Sequence, residues 1–297
     1  MADMAIDELK QRIRANRLPP GAEVSVAKRR AAMEAVAFRV APDIDVQSVT
    51  VGGLPAQWLR APGLTGPQTV LYLHGGGYVM GSCNTHRALA GAISRAAGAA
   101  VLLPEYRLAP EAPFPAAVED AVAVYEWLLA EGHAPAQLAI AGDSAGGGLT
   151  AATLVALRDK SLPLPAAAVC ISPWSDLTRN ADSYRARAAA DPMIAPEDVA
   201  EMAAHYLQGA DPESPLASPN FADLRALPPL LIHVGRDEIL LDDAVQLHAR
   251  AEAAGVTTTL EVWDDMIHVW HAFHPLLAAG RDGVARVGEF LRAQWSA

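Results

Sequence analysis

The stretch that decides the fold reads Leu138-Ala139-Ile140-Ala141-Gly142-Asp143-Ser144-Ala145-Gly146-Gly147-Gly148. Its first four residues are apolar, which predicts a buried strand, and residues 145–158 follow with a helical pattern. A strand that passes directly into a helix must turn sharply, and small residues two positions either side of Ser144 let both elements approach. The turn lifts the Ser144 hydroxyl above the sheet, at a helix N-terminus that stabilises developing negative charge.

A second glycine-rich segment, His74-Gly75-Gly76-Gly77, ends a predicted strand at 69–73. Consecutive glycines can turn their amides toward a ligand because no side chain stands in the way. Such a loop supplies half of an oxyanion hole, and the amide after the nucleophile, here that of Ala145, supplies the rest. A phosphate-binding loop is the competing interpretation, and it is weakened because no Lys-Ser or Lys-Thr follows the glycines.

A serine nucleophile needs a histidine base, which in this type of turn lies later in the chain. Six histidines follow Ser144, namely His205, His233, His248, His268, His271 and His274. His268 is favoured because it lies in a loop-like stretch after the last predicted strand. His205 and His248 lie in helical patterns, and His233 lies in an apolar run typical of a buried structural histidine. The spacing of three between the last three histidines suggests a metal site, but on a helix they would not share one face.

The acid that orients the histidine is predicted to be Asp237, which follows an apolar strand pattern at 230–234. Its rivals are Glu238, Asp242 and Asp243, of which the two aspartates lie deeper in the following helix, further from the strand end.

Around these motifs, short apolar runs alternate with helical patterns, which predicts a mostly parallel, buried sheet flanked by helices. The predicted strands are 46–51, 56–60, 69–73, 99–103, 138–141, 166–172, 230–234 and 258–263, and the predicted helices include 85–97, 116–130 and 145–158. The first two strands flank Gly52-Gly53 and read as a hairpin. Residues 1–40 read as helix, turn (18–21) and helix. The long connection between residues 172 and 230 carries helical signals, including 197–207, and is interpreted as a helical insertion.

The composition excludes several classes of protein. The chain has 297 residues, is 52% hydrophobic and has a net charge of −11, so nucleic acids and anionic membrane surfaces are poor partners. No apolar run is long enough for a membrane span, and the N-terminus lacks a signal-peptide core. Two cysteines do not make a disulfide framework, so a cytoplasmic location is expected.

Together the motifs resemble those of the bacterial hormone-sensitive-lipase-like carboxylesterases of family IV, in the subgroup with Gly-Asp-Ser-Ala-Gly at the nucleophile. The resemblance covers almost the whole chain and rests on segments 73–78, 106–111, 142–147, 235–238 and 265–270. One departure is that many relatives have Asp-Pro-Leu at the acid motif, where this chain has Asp237-Glu238-Ile239.

The resemblance implies an α/β-hydrolase fold with a helical cap. Residues 1–45 would form N-terminal cap helices, 175–228 a cap insertion, and 46–174 with 229–297 the two parts of the catalytic domain. It implies Ser144, Asp237 and His268 as the catalytic triad and the amides of Gly76, Gly77 and Ala145 as the oxyanion hole. In the family, His74 and the segment 106–111 are structural.

The expected activity is hydrolysis of short- to medium-chain esters, without cofactor or metal, by a chain that can form a homodimer. The same machinery could act on lactones, amides or thioesters. Some relatives of this fold are non-catalytic receptors, but these lack a complete triad.

Overall fold

In residues 3–19 and 24–296, which the computed structural model describes, eight strands form one sheet in the order β1-β2-β4-β3-β5-β6-β7-β8. The strands are β1 (Asp45–Val51), β2 (Leu54–Arg60), β3 (Thr69–Leu73), β4 (Ala100–Pro104), β5 (Leu138–Asp143), β6 (Ala167–Ile171), β7 (Leu230–Gly235) and β8 (Thr258–Trp263). β1 and β2 pair antiparallel, β2 is antiparallel to β4, and the remaining pairs are parallel. Each of the eight predicted strands is found, with ends within two residues of the prediction.

The antiparallel edge of the sheet is made by the predicted hairpin. Val51 pairs with Leu54 across a two-residue turn, and Asp45 pairs with Arg60 at the open end. Gly52 and Gly53 both have positive φ, at 57° and 87°, a backbone conformation that residues other than glycine rarely adopt. A tight turn of this kind matches the twist of the two strands, so the Gly-Gly pair sets the register of the hairpin.

The helices that the described residues form are α1 (Ile6–Asn16), α2 (Val26–Ala35), α3 (Cys83–Ala97), α4 (Ala116–Ala130), α5 (Ala145–Asp159), α6 (Ser183–Ala186), α7 (Pro196–Leu207), α8 (Leu241–Ala253) and α9 (Ala278–Trp295). Helices α3 and α9 cover one face of the sheet, and α4, α5 and α8 cover the other. Every residue of β3, β5, β6 and β7 is therefore buried. Burial on both faces explains why these strands appear in the sequence as continuous apolar runs.

The long connection between β6 and β7 contains helices α6 and α7 and a 3₁₀ turn at Pro219–Phe221, as a helical insertion predicts. At the N-terminus, α1 and α2 are the two predicted helices. Pro20 and Gly21 of the turn predicted between them lie outside the described residues. Across the residues that are described, no helix has the length and apolar character needed to cross a bilayer.

Candidate active site

Ser144 occupies the predicted turn between β5, which ends at Asp143, and α5, which begins at Ala145. Its φ of 55° is unusual for a residue with a side chain. A Cβ on Gly142 would lie 2.2 Å from the carbonyl oxygen of Gly146, and one on Gly146 would lie 2.0 Å from that of Leu73. The turn can therefore close only with glycine at both positions, which explains the five-residue pattern physically.

His268 lies beside the serine, on the loop between β8 and a 3₁₀ turn at Trp270–Phe273. Its Nε2 is 2.9 Å from the Oγ of Ser144, and its ring is almost fully buried. Parallel strands end at one edge of the sheet, and the loop after β8 reaches back along that edge to the serine. The structure thus places His268, the base predicted from the sequence, in contact with Ser144.

The carboxylate that contacts His268 belongs to Glu238 and not to Asp237. The Oε2 of Glu238 is 2.8 Å from the Nδ1 of His268, and the Glu238 side chain is fully buried. Asp237 turns the other way and accepts a hydrogen bond of 2.8 Å from the Nζ of Lys10 in α1. The prediction of Asp237 as the acid is therefore corrected to its neighbour.

Two further hydrogen bonds hold the Glu238 carboxylate in place. Its Oε1 accepts the backbone N–H of Gly235 at 2.5 Å and the hydroxyl of Ser172 at 2.7 Å. Because Oε1 is occupied by these donors, Oε2 is left for the imidazole. Ser172 also accepts the N–H of Val269 at 3.1 Å, so it joins the acid to the residue after the histidine. Sequence reasoning missed Ser172.

One signal in the sequence could have identified Glu238. The family pattern Asp-Pro-Leu can be set against Glu238-Ile239-Leu240, which keeps leucine in the third place. Set against Asp237-Glu238-Ile239, the same pattern loses that match and aligns proline with a charged residue.

The charges around His268 favour its protonated form. Burial alone would lower the pKa of His268, but the hydrogen bond and charge of Glu238, together with the charges of Asp191 and Asp143, raise it above its usual value. Asp191 lies in the insertion, and its carboxylate accepts the N–H groups of Met193, Ile194 and Ile239, the last of which directly follows Glu238. Burial raises the pKa of Asp191 to about 6. An imidazolium at His268 is thus stabilised by the carboxylates of Glu238 and Asp191.

The glycine loop after β3 runs along the same edge of the sheet as Ser144. Gly76 and Gly77 have φ values of 121° and 64°, so both need glycine's conformational freedom. Within the described part of the chain, the amides of Gly76, Gly77 and Ala145 donate no hydrogen bond. Three N–H donors without internal partners at the serine edge are what an oxyanion hole provides.

The remaining predicted positions have other environments. His74 is fully buried beneath the loop, and its carbonyl accepts the Tyr106 hydroxyl at 2.7 Å. His233 is buried in β7, as expected of a structural histidine, and its Nδ1 is 2.9 Å from the Nε2 of His271. His268 and His271 therefore have different partners, and in the described ranges no three His, Cys, Asp or Glu side chains are grouped as metal ligands would be.

Comparison with known proteins agrees with the fold. A family described as having the alpha/beta hydrolase fold matches residues 70–272. An acetyl-hydrolase of Streptomyces hygroscopicus is 53% identical over 82% of this chain and 81% of its own. A crystal structure of EstE5 soaked with ethyl alcohol is 61% identical, with a TM-score of 0.97, and the match covers 98% of this chain and 99% of that one.

A second solved structure carries the family in its description. It is an esterase from the bacterial hormone-sensitive lipase family, 50% identical with a TM-score of 0.95 over 99% of this chain and 100% of that one. The matches span nearly the whole fold, including the strands and loops that bring Ser144 and His268 together. This chain therefore belongs to the α/β-hydrolase family and, within it, to the carboxylesterases related to bacterial hormone-sensitive lipase.

Proposed function

We propose that this enzyme hydrolyses short- to medium-chain carboxylic esters through an acyl-Ser144 intermediate, with His268 as base and Glu238 as the orienting acid. The observation that carries the proposal is the continuous chain from Ser144 Oγ to His268 Nε2 at 2.9 Å and from His268 Nδ1 to Glu238 Oε2 at 2.8 Å. It contains a nucleophile, a base in contact with it, and a buried carboxylate that fixes the base.

In the acylation half, Ser144 Oγ bonds to the ester carbonyl carbon while its proton passes to Nε2 of His268. The carbonyl oxygen becomes an oxyanion and accepts hydrogen bonds from the amides of Gly76, Gly77 and Ala145. When the tetrahedral intermediate collapses, the bond to the alkoxy group breaks and His268 returns the proton to the leaving alcohol. The products are a free alcohol and an ester of Ser144.

In the deacylation half, a water molecule attacks the Ser144 ester and gives its proton to His268. The second tetrahedral intermediate uses the same three amides, and its collapse returns the proton to Ser144 and releases the carboxylic acid. The Glu238 carboxylate stabilises the imidazolium that forms in each half. The scheme needs no cofactor and no metal ion.

We also propose that the N-terminal helices and the insertion form the cap. Arg29 of α2 bonds Glu201 of α7 at 2.6 Å and Asp198 of the same helix at 3.4 Å, so the two segments are joined by charge. A Cβ on Gly77 would lie 2.0 Å from the Sδ of Met202, so α7 packs directly on the glycine loop. This arrangement keeps bulk water from the oxyanion site.

A cavity of about 460 Å³ opens between α1 and the insertion, within the size range of ligand sites. It is lined by Arg14, Arg17, Leu18, Pro19, Ala188, Ala189 and Asp191. Asp191 accepts the N–H of Ile239, next to Glu238, and for this reason we propose that the cavity is part of the substrate path. A cytoplasmic location and a homodimer stay predictions.

The proposal is tested with p-nitrophenyl acetate, butyrate, octanoate and palmitate, together with a fluorophosphonate that phosphonylates activated serines. We expect the highest kcat/KM on the short and medium esters, because the proposed cap limits the length of the acyl chain. We also expect Ser144 Oγ to displace fluoride from the reagent, so that each chain gains one phosphonyl group, which mass spectrometry should find on the peptide that contains Ser144. Labelling of a different residue that abolishes activity would contradict the proposal.

The pH dependence gives a second test. Because His268 must be neutral to accept a proton and its pKa is raised, we expect kcat/KM to fall as the pH drops through a midpoint above 6.5. The substitution Asp191→Asn removes a negative charge that favours the imidazolium, so its midpoint should move to lower pH. The control is Asp182→Asn, an exposed aspartate of the same insertion, which should keep the wild-type midpoint. An unchanged midpoint in Asp191→Asn would show that this charge does not act on His268.

A further inference from the structure

Asp143, the residue before the nucleophile, ends β5 and is only 2% exposed. Its side chain lies against the glycine loop: a Cβ on Gly75 would lie 2.3 Å from Asp143 Oδ2. A buried carboxylate at this position needs partners, since an unpaired charge in the interior is strongly destabilising.

The partners of Asp143 come from three separate elements. Its Oδ1 accepts the hydroxyl of Tyr72 in β3 at 2.7 Å and the backbone N–H of Gly75 at 3.2 Å. Its Oδ2 is 3.4 Å from the Nε2 of His86 in α3. The bond to Gly75 matters most for chemistry, because Gly75 immediately precedes the two glycines whose amides face the oxyanion.

The groups around the carboxylate keep it ionised. Burial opposes ionisation of Asp143, but the charge and hydrogen bond of His86, with the hydrogen bond of the Tyr72 hydroxyl, bring its pKa below the usual value. His86 is itself held, since its Nδ1 lies 2.7 Å from the hydroxyl oxygen of Thr85. A charged acceptor makes the hydrogen bond from Gly75 stronger than a neutral one would.

We propose that Asp143 is a positioning residue that fixes the glycine loop to the nucleophile turn. Asp143 directly precedes Ser144 in the chain, and it binds Gly75, which directly precedes Gly76 and Gly77. The Asp143 side chain therefore sets the distance between Ser144 and the amides of Gly76 and Gly77. The inference rests on the proposed function, because it concerns the oxyanion of that reaction. The carbonyl of Gly76 anchors the far side of the loop by accepting the N–H groups of Val79 and Met80. On the near side the bond from Gly75 to Asp143 acts beside the bond from the Tyr106 hydroxyl to the His74 carbonyl.

Losing the hydrogen bond between Gly75 and Asp143 is expected to lower kcat. In Asp143→Ala the N–H of Gly75 and the hydroxyl of Tyr72 lose their buried acceptor, and the loop is free to shift. Loss of one oxyanion donor costs about 10²–10³ in kcat, so we expect a decrease of about 10²-fold with KM changed less than threefold. Asp143→Asn keeps an acceptor oxygen and should retain at least a tenth of the wild-type kcat.

The experiment compares wild type, Asp143→Asn and Asp143→Ala for kcat, KM and the affinity of a trifluoromethyl ketone, whose adduct with the serine carries an oxyanion. Under the proposal the ketone affinity falls in step with kcat/KM, since both depend on the same amides. Asp120→Ala is the control for a buried aspartate. It removes the acceptor of the Arg107 N–H at 2.8 Å and should lower stability while keeping kcat within about threefold.

A folded Asp143→Ala with wild-type kcat and ketone affinity would overturn the inference, as would a loss of kcat without a loss of ketone affinity. If the alanine variant does not fold, the same comparison on Asp143→Asn decides: its kcat and ketone affinity must move together. Ser144→Ala, measured in the same series, separates the two hypotheses. If it is inactive while Asp143→Ala is unimpaired, only the inference fails, and if it is active the proposed function fails.

Discussion

Replacing Glu238 with glutamine is expected to lower kcat about 10⁴-fold with little change in fold. The amide oxygen of the new side chain can still accept the bonds from Gly235 and Ser172, so the side chain should keep its place. Its NH₂ group would then face Nδ1 of His268 and donate to it. That reverses the tautomer, puts the ring proton on Nε2, and leaves no lone pair to take the Ser144 proton; an equivalent change in a serine protease costs about this factor.

The matched control is Asp237→Asn, one position away. Asp237 bonds Lys10, whose side chain is 11% exposed, so this change should lower the free energy of unfolding by about 1–3 kcal/mol. It does not touch His268, and kcat should stay within about threefold. Steady-state kinetics and urea unfolding of both variants make the comparison. If kcat fell about 10⁴-fold in Asp237→Asn and not in Glu238→Gln, the acid would be Asp237.

The acid illustrates what local sequence can and cannot determine. Ser144 could be predicted because the turn around it is encoded by its own neighbours, Gly142 and Gly146, whose missing side chains let β5, α5 and β3 meet. Asp237 and Glu238 share one turn after β7, and their distance from the strand end does not say which of them faces the histidine; the leucine at position 240, matched to the family pattern, is the one local signal. The partner that draws Asp237 away is Lys10, 227 residues earlier in the chain.

The strands were predictable for a related reason. A strand that is buried on both faces must be apolar throughout, so β3, β5, β6 and β7 can be recognised individually. Which strands lie side by side is a property of the whole sheet. The contact of Ser172, at the end of β6, with Glu238, after β7, and that of Asp143, at the end of β5, with Gly75, after β3, follow from strand order.

The largest effect is expected from Ser144→Ala, with a decrease in kcat of about 10⁶-fold on any p-nitrophenyl ester. Under the proposed mechanism no acyl-enzyme can form without Oγ, and only the three amides and substrate binding remain to accelerate attack by water. The rate that remains in the variant should still exceed the uncatalysed rate by about 10³-fold. The substitution removes a reacting atom and does not disturb the packing, so circular dichroism should show an intact fold.

The decisive form of this prediction is the pair Ser144→Ala and His268→Ala together with the double variant. Under the proposed mechanism Ser144 and His268 act as one unit through their 2.9 Å contact, so once either is gone the other has no part in the reaction. We therefore expect each single variant and the double variant to lose nearly the same factor, where independent contributions would multiply to about 10¹². If His268→Ala kept activity within tenfold of wild type, another group would have to take the serine proton. In that case, a double variant with much lower activity than Ser144→Ala would mean that His268 contributes to substrate binding instead.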